Sequence, residues 1–297
     1  MNVLILGGSS YDEVIRLKRL PQPSPQTLFA PSMKMVGSTG VGKAVALKRL
    51  GFNVALHVLE GADAEAKAIR SYLEANQITL ITDPVEVSEK HVNLVDEEGH
   101  RISIFTQTQP DRPAIDLERI ETWIRWADLI VLNIIAYTKQ LLGLIQASGK
   151  PVWTDLHDYE EDNPYYEPFI AAADAIFLSH DRLKDPAKLA SRWLREGKRF
   201  IVVTMGKQGS ELFEANHPLV YEPILNRFPF VDPNGAGDSY FAGFLYGFAT
   251  GKDLREAMIY GTICGGMAVA SEEIASVELS SSNIEAIKQH HYGEVNL

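Results

Sequence analysis

The alternation of short apolar segments with amphipathic ones constrains the fold of this chain more than any other feature of its sequence. The apolar segments have the length of buried strands, and the segments between them carry apolar residues at helical spacing. This βαβ rhythm is typical of a parallel sheet that is covered by helices on both faces. It predicts an α/β fold with a three-layer, doubly wound, mostly parallel sheet. Strands are expected at residues 3–6, 54–59, 78–81, 129–133, 152–155, 175–178 and 200–204, and helices at 44–50, 64–76, 117–126 and 189–194, with a further helix that ends at 148.

Two segments interrupt this rhythm. Four prolines between residues 21 and 31 break any helix there, so we expect an extended segment. Residues 91–95 and 101–105 alternate between apolar and polar side chains around a turn, which predicts a hairpin with one exposed face. Together the two segments, at about 12–36 and 88–110, predict a small sheet that covers the cleft. We expect residues 1–297 to form a single domain. His91 and His100 flank the hairpin and are expected to be solvated, since no partner is spaced to join them at a metal.

The composition excludes several classes of partner. The chain has 297 residues, of which 45% are hydrophobic and 23% charged, as in ordinary globular proteins. Its net charge of −11 disfavours nucleic acids and anionic membranes, so small molecules are the expected partners. The single Cys264 excludes an internal disulfide and a thiolate metal site, and we expect it to be buried in a protein of a reducing compartment. The N-terminus lacks a basic region and a long apolar run, so we expect a cytoplasmic protein.

A glycine-rich turn at residues 235–238 leads directly into an apolar, small-residue helix pattern. Such a turn presents backbone N–H groups at a helix N-terminus, where anions bind, and its glycines let a phosphate approach. Two interpretations of Asp238 remain open on spacing alone. It is either the helix N-cap, a position that Asp favours, or a carboxylate that takes part in acid–base chemistry beside a developing negative charge.

Residues 37–43 match the Gly-x-x-x-x-Gly-Lys pattern of a phosphate-binding loop. Ala44 stands where that loop needs a Ser or Thr hydroxyl for Mg²⁺, and the preceding strand pattern is weak. A phosphate loop that uses Lys43 is therefore disfavoured. The turn still delivers amides to a helix start, and its ligand need not be a phosphate.

Three further polar segments follow predicted strands, where open α/β sheets bind their ligands. Asp12 is placed either to bind substrate hydroxyls or to serve as a turn residue. Residues 204–209 form a second glycine-rich turn, which a simple tight turn explains equally well. Residues 155–162 carry many carboxylates, and Asp155 and His157 have a spacing that converges. A solvated acidic loop is favoured there over a metal site.

The sequence resembles the ribokinase-like (PfkB) carbohydrate kinase family over nearly the whole chain. The segments that match the family's motifs, in the family's order, are Asp12 and residues 37–42, 204–209 and 232–238. The most specific match is the family signature Asp-Thr-x-Gly-Ala-Gly-Asp, which residues 232–238 reproduce apart from Pro233. The resemblance implies a ribokinase-like fold whose lid is built by the two interrupting segments. It also implies ATP and Mg²⁺ as cofactors, leaves a monovalent cation open, and suggests a homodimer through the lid.

The resemblance assigns a role to each motif. Asp238 would take the proton from a sugar hydroxyl, and the backbone amides around it would hold the charge of the transferring phosphoryl group. The metal ligands stay unassigned. The catalytic residues implied are Asp238, Gly235, Ala236 and Gly237; the substrate-binding ones are Asp12, Ser38, Thr39 and Gly42; the nucleotide-binding ones are Thr204, Gly206, Gly209, Ser179 and Thr262.

The sequence departs from the family pattern at the substrate end. Gly42 replaces the family's substrate-binding asparagine, and Ser38 replaces the second glycine of its pair. His157 and Tyr159 stand in the last two positions of the family's Asp-x-Asn-x-Arg run, and its Asn-x-x-Glu segment becomes Ser-His-Asp-Arg at residues 179–182. The phosphoryl-transfer end is intact, whereas the sugar pocket and the surroundings of the metal are changed.

The leading hypothesis is an ATP- and Mg²⁺-dependent kinase that phosphorylates a hydroxymethyl group of a sugar or sugar derivative. A nucleoside kinase of the same fold is the nearest alternative, because the altered positions leave room for a different pocket. A catalytically weak homologue that binds or senses a sugar is a third hypothesis, which the lost Asn-x-x-Glu segment favours. A P-loop NTPase that uses Lys43 is disfavoured by Ala44.

Overall fold

The computed structural model of the protein describes residues 1–293. The strands in this range are β1 (Asn2–Leu6), β2 (Ser10–Leu17), β3 (Ser32–Gly37), β4 (Asn53–Glu60), β5 (Thr79–Pro84), β6 (Lys90–Asp96), β7 (Arg101–Gln107), β8 (Leu129–Asn133), β9 (Val152–Asp155), β10 (Ala175–Ser179), β11 (Phe200–Thr204), β12 (Ser210–Glu214) and β13 (Val220–Glu222). The helices in the same range are α1 (Thr39–Arg49), α2 (Ala64–Ala75), α3 (Leu117–Trp126), α4 (Leu142–Ser148), α5 (Glu167–Ala172), α6 (Pro186–Arg195), α7 (Ala236–Ala249), α8 (Leu254–Val269) and α9 (Ser281–Tyr292), with 3₁₀ turns at Ala136–Leu141 and Gly206–Gln208.

Within residues 1–293, the larger sheet has nine strands in the order β13-β12-β11-β10-β9-β8-β1-β4-β5. From β11 to β5 the strands are parallel, so the predicted α/β fold with a mostly parallel sheet is confirmed. Strands β12 and β13 add an antiparallel edge that the sequence pattern does not predict. β1 lies between β4 and β8, so the strand order reverses there. A ligand cleft opens at such a reversal, outside the carboxyl ends of the strands.

Helices cover both faces of the larger sheet. Successive side chains of a strand point to opposite faces, so a strand that is apolar throughout needs helices on both sides. Val3 and Ile5 of β1 pack in a hydrophobic cluster with α1, α7 and α8, whereas Leu4 and Leu6 pack in a second cluster with α3, α4 and α6. This is the three-layer, doubly wound architecture that the alternation predicts. Cys264 is buried in the first cluster, as expected. No helix within residues 1–293 has the length and apolar character needed to cross a bilayer.

A smaller sheet, with strand order β3-β2-β6-β7, forms a lid. β2 and β3 pair antiparallel across the proline-containing segment, and β6 and β7 form the predicted hairpin. β2 pairs in parallel with β6 and so joins the two halves of the lid. The register places Asp12 beside His91, and His91 beside Phe105, so these three side chains share one face.

Candidate active site

The N-terminus of α7 forms a turn with two free amides. Gly235 is the N-cap with a φ of 73°, and the carbonyl oxygen of Ile274 fills the space where its Cβ atom would stand, so only glycine fits. The Ala236 amide donates to a carbonyl within the turn at 3.2 Å, whereas the amides of Gly237 and Asp238 make no hydrogen bond within residues 1–293. The space above Gly237 is open. An anionic group can therefore reach two free amides at the positive end of the helix dipole.

Asp238 lies in the first turn of α7 but does not cap the helix. Its carboxylate points to α1, where Oδ1 accepts hydrogen bonds from Thr39 Oγ1 at 2.6 Å and from Lys43 Nζ at 2.5 Å. The N-cap interpretation is wrong, because Gly235 occupies that position without any side-chain hydrogen bond. Oδ2 of Asp238 makes no hydrogen bond within residues 1–293, so this oxygen can accept a proton from a ligand.

The segment at residues 37–42 brings the start of α1 against the end of β1. A Cβ atom on Gly40 would overlap with the carbonyl oxygens that follow β1, and one on Gly42 would overlap with Oδ2 of Asp238. Ser38 precedes the helix with a φ of 79°, a left-handed conformation that is strained for a residue other than glycine. The glycines thus let the backbone of α1 and the carboxylate of Asp238 meet.

Lys43 lies inside α1, and its side chain is fully buried. Its Nζ donates to Asp155 Oδ2 at 3.0 Å and to Asp238 Oδ1 at 2.5 Å, and it also donates to Thr39 Oγ1. Burial alone would lower the pKa of Lys43, but the two carboxylates outweigh it and raise the pKa above its ordinary value. An ammonium enclosed between carboxylates is not available to a phosphate, which rules out the phosphate loop. Sequence reasoning did not identify Lys43 as part of this site.

Asp155 and His157 lie at the end of β9, on the other side of Lys43. Asp155 is 7% exposed, so the expectation of a solvated loop is wrong at this position, although most acidic residues that follow it are exposed. The ion pair with Lys43 explains its burial. The His157 amide donates to Asp155 Oδ1 at 3.0 Å, and His157 Nδ1 lies 3.4 Å from Asp155 Oδ2. Burial raises the pKa of Asp155, but His157 and Lys43 outweigh it and hold the pKa below its ordinary value.

Two polar side chains at neighbouring strand ends carry buried atoms without a partner within residues 1–293. Nε2 of His157 is one, and His157 also has a φ of 52°, a strained conformation that clusters at functional sites. Oδ1 of Asn133 is the other, while its Nδ2 donates to the carbonyl of Gly7 at 2.6 Å. Buried polar groups normally have hydrogen-bond partners, so these two atoms are available to a ligand. Sequence reasoning missed Asn133, whose only signal is a polar residue that ends an apolar strand.

The face of the lid that bears Asp12 carries a buried polar cluster. His91 Nδ1 lies 3.2 Å from Asp12 Oδ1, His91 Nε2 lies 3.0 Å from Glu89 Oε1, and Asn93 Nδ2 donates to Asp12 Oδ2 at 3.2 Å. His91 is 9% exposed, so its expected solvation is wrong: the alternation along β6 turns it toward Asp12. His100 is exposed, as expected. Burial alone would lower the pKa of His91, but Asp12 and Glu89 outweigh it and raise the pKa to about 9.

Two arginines tie the lid to the loop that precedes α7. Arg16 Nη2 of β2 donates to Asp232 Oδ2 at 2.6 Å, and Asp232 Oδ1 accepts from the Asn234 amide at 2.8 Å. Arg101 Nη1 of β7 reaches Asn234 Oδ1 at 3.5 Å. The Asp232 carboxylate is nearly buried, which strengthens its pairing with Arg16. The lid is therefore connected to the turn that bears the free amides.

The residues expected to bind the nucleotide lie at the ends of β10 and β11 and in α8. Ser179 and Thr204 are neighbours in register at the carboxyl ends of these two parallel strands. Gly206 begins the 3₁₀ turn that follows and Gly209 comes directly after it, and both have a positive φ. Thr262 is buried within α8. Residues 1–293 contain no group of three or more His, Cys, Asp or Glu side chains arranged to hold a metal ion.

The chain resembles carbohydrate and nucleoside kinases over nearly its whole length. Residues 36–278 match the pfkB family of carbohydrate kinases. The acarbose 7(IV)-phosphotransferase of Actinoplanes sp. is 29% identical over 276 residues, which cover 90% of this chain and 91% of that protein. A nucleoside kinase of Methanothermobacter thermautotrophicus is 27% identical over 306 residues, with coverage of 97% and 95%. The solved structure of a microbiome-derived acarbose kinase superposes with a TM-score of 0.86 at 27% identity, over 96% of this chain and 98% of that one.

Proposed function

This chain belongs to the pfkB family of carbohydrate kinases and is an ATP-dependent sugar kinase, and we propose that Asp238 is its general base. The observation that carries the proposal is the state of the two carboxylate oxygens. Oδ1 is held by Thr39 and Lys43, whereas Oδ2 has no partner in the described chain and belongs to the same helical turn as two free amides. Phosphoryl transfer needs a base for the attacking hydroxyl and dipoles that stabilise the phosphoryl oxygens. This turn offers both.

The proposed reaction starts with a sugar hydroxymethyl group directed at Oδ2 of Asp238. Oδ2 takes the hydroxyl proton while the hydroxyl oxygen forms a bond to the γ-phosphorus of ATP. The bond between that phosphorus and the β–γ bridging oxygen breaks, and ADP leaves. The amides of Gly237 and Asp238 stabilise the negative charge on the phosphoryl oxygens. Gly235 and Ala236 shape the turn, since the Ala236 amide is already bonded.

We assign the nucleotide to Ser179, Thr204, the glycine turn at residues 206–209, and Thr262. Mg²⁺ usually keeps several waters and binds through one or two carboxylates and the phosphates of the substrate. Because residues 1–293 contain no cluster of three acidic or imidazole ligands, the metal fits this site as part of the ATP complex rather than in a cage of side chains. When bound, it would neutralise charge on the phosphates.

The sugar is assigned to the space between Asp238 and the lid. Asp12 would bind its hydroxyls together with the neighbouring His91, and Ser38 and Thr39 would approach it from the start of α1. Gly42 would leave space there, while the family's asparagine would contribute a contact. The likeness to two acarbose-phosphorylating enzymes favours a carbohydrate substrate. The likeness to a nucleoside kinase makes a nucleoside the second candidate.

A substrate panel separates these candidates. ATP consumption would be measured with monosaccharides, acarbose and nucleosides, and the phosphorylated carbon of any product would be located by NMR. The proposal predicts turnover with at least one carbohydrate and a phosphate on a hydroxymethyl carbon. Turnover with nucleosides alone would favour the second candidate. Sugar binding without any turnover would favour a sensing protein and contradict the proposal.

We further propose that the chain is one domain, with a lid at about 12–36 and 88–110 that pairs with the lid of a second copy. Ile102 and Ile104 of β7 are 41% and 47% exposed, and the register places them on the face opposite Asp12. Exposed apolar side chains on an edge strand favour burial against another copy. Because the reaction consumes ATP, we place it in the cytoplasm. Sedimentation at micromolar concentration should show a dimer, and a monomer would contradict this part.

A further inference from the structure

We propose that Lys43 is a positioning residue, which holds the carboxylate of Asp238 in the orientation that a general base requires. This inference rests on the role of Asp238 proposed above. Lys43 Nζ lies 2.5 Å from Asp238 Oδ1 and 3.0 Å from Asp155 Oδ2. One ammonium thus joins the first turn of α7 to the end of β9, and both to α1. These are the elements that border the proposed site of transfer.

The burial of Lys43 indicates that its charge has a purpose beyond solubility. Its side chain is completely shielded from solvent, and the ring of Phe241 lies 5.4 Å from Nζ. A buried ammonium carries a large desolvation cost and persists only when it is paired with good geometry. A leucine or methionine in the same place would fill the core of α1 without that cost. Packing alone therefore does not explain a lysine at this position, whereas the two ion pairs do.

The geometry distinguishes the two oxygens of Asp238. Lys43 and Thr39 both donate to Oδ1, so neither competes for Oδ2. Oδ2 lies against the backbone of Gly42, where the absence of a Cβ atom leaves it room. Two donors from one helix hold Oδ1, which restricts rotation of the carboxylate about its Cβ–Cγ bond. Lys43 thereby presents Oδ2 to the attacking hydroxyl in one orientation.

The charge balance explains why Asp155 accompanies this pair. The titratable groups that face Lys43 are Asp238 from α7, Asp155 from β9 and His157 just beyond β9. One ammonium between two carboxylates leaves a local excess of negative charge. Removing Lys43 alone would leave the carboxylates of Asp155 and Asp238 without the ammonium that both contact, and loss of one partner of a buried ion pair is strongly destabilising.

The experiment compares Lys43→Met with Lys43→Met combined with Asp155→Asn. The double variant restores the charge balance and keeps the core filled, so we expect it to fold better than the single variant. It still lacks the hydrogen bond from residue 43 to Asp238. We expect kcat of the double variant to fall roughly 10- to 100-fold, while KM for ATP and sugar changes less than about threefold. The single variant should have a lower melting temperature than the double variant, because it leaves the buried Asp155 carboxylate without its ammonium partner.

Asp238→Asn, assayed beside these variants, separates this inference from the proposed function. If Asp238→Asn is inactive and the double variant turns over at the native rate, Lys43 only neutralises Asp155, and the inference is overturned. If Asp238→Asn itself turns over at the native rate, the proposed base is wrong and the inference falls with it. A slow double variant with a native melting temperature and native KM values supports the inference.

Discussion

Oδ2 of Asp238 rests directly against Gly42, on the spot where any larger residue would place its Cβ atom. The family pattern has an asparagine at this position, so by that resemblance the glycine lacks a side-chain contact to the sugar. It also makes room for the Asp238 carboxylate to lie on α1, between Thr39 and Lys43. Gly42 and Lys43 are consecutive residues, and together they form the surface of α1 against which the proposed base lies, referred to below as its seat.

Gly42→Ala should lower kcat by roughly one to two orders of magnitude, because a displacement of the base by about 1 Å can cost that much. The helix should stay folded, since alanine has a higher helix propensity than glycine. Steady-state kinetics with circular dichroism would check both. Gly143→Ala is the matched control, because a Cβ atom at that helical glycine meets nothing within 4 Å. Native kcat in Gly42→Ala would show that Asp238 does not need this seat.

His91 should make sugar binding sensitive to alkaline pH. Its pKa is raised from 6.5 to about 9 by Asp12 and Glu89 in spite of burial, so the protonated form stabilises the folded lid. This contribution, on the order of 3 kcal/mol, is complete below pH 6.5 and is lost as the pH rises through about 9. We therefore expect the melting temperature to fall and KM for the sugar to rise between about pH 8 and about pH 10.

His91→Gln provides the control for that titration. Glutamine keeps a hydrogen-bonding side chain beside Asp12 but carries no titrating charge. At neutral pH its melting temperature should be lower, and its KM for the sugar higher, than in the native enzyme. Both quantities should change less than in the native enzyme between about pH 8 and about pH 10. A native enzyme whose KM and melting temperature stay flat through this range would contradict the assignment of a charged His91.

Arg16→Met should weaken closure of the lid over the sugar. The guanidinium of Arg16 donates to the nearly buried Asp232 at 2.6 Å, and a charge-assisted hydrogen bond of this kind is worth about 1.5 kcal/mol or more. We expect KM for the sugar to rise by about tenfold, with a smaller effect on KM for ATP. Arg125→Met is the matched control, since the Arg125 side chain pairs with Glu121 and donates to Thr122 on the exposed side of α3, away from the lid. Equal KM values for the two variants would remove the lid contact from the account.

Much of the fold follows from local patterns. The strands expected at 129–133, 152–155 and 200–204 have the observed bounds, because an apolar run between turn residues has few alternatives in an α/β sheet. The antiparallel strands β12 and β13 escape such patterns. They are short and only partly buried, and the partner strand decides whether such a segment pairs.

The site is predictable only where its chemistry is local. The glycine turn and Asp238 are visible as one run of sequence, and the family resemblance adds their role. The role of Lys43 is not visible in the local sequence, because its carboxylate partners lie 112 and 195 residues away in the chain. The residues next to it match the pattern of a phosphate loop instead. The burial of His91 likewise depends on a strand 79 positions earlier, counted from Asp12 to His91. A lysine among the buried residues of a helix is the one local signal that could have pointed to the ion pairs.

The most direct test of the account is the turnover of Asp238→Asn, measured beside Asp158→Asn as an exposed carboxamide control. Asparagine keeps the shape of the side chain but cannot take the hydroxyl proton. We expect kcat of Asp238→Asn to fall by roughly two to four orders of magnitude, with ATP affinity within about threefold of native. Asp158→Asn should turn over normally. A folded Asp238→Asn variant that phosphorylates sugar at close to the native rate would contradict the central claim.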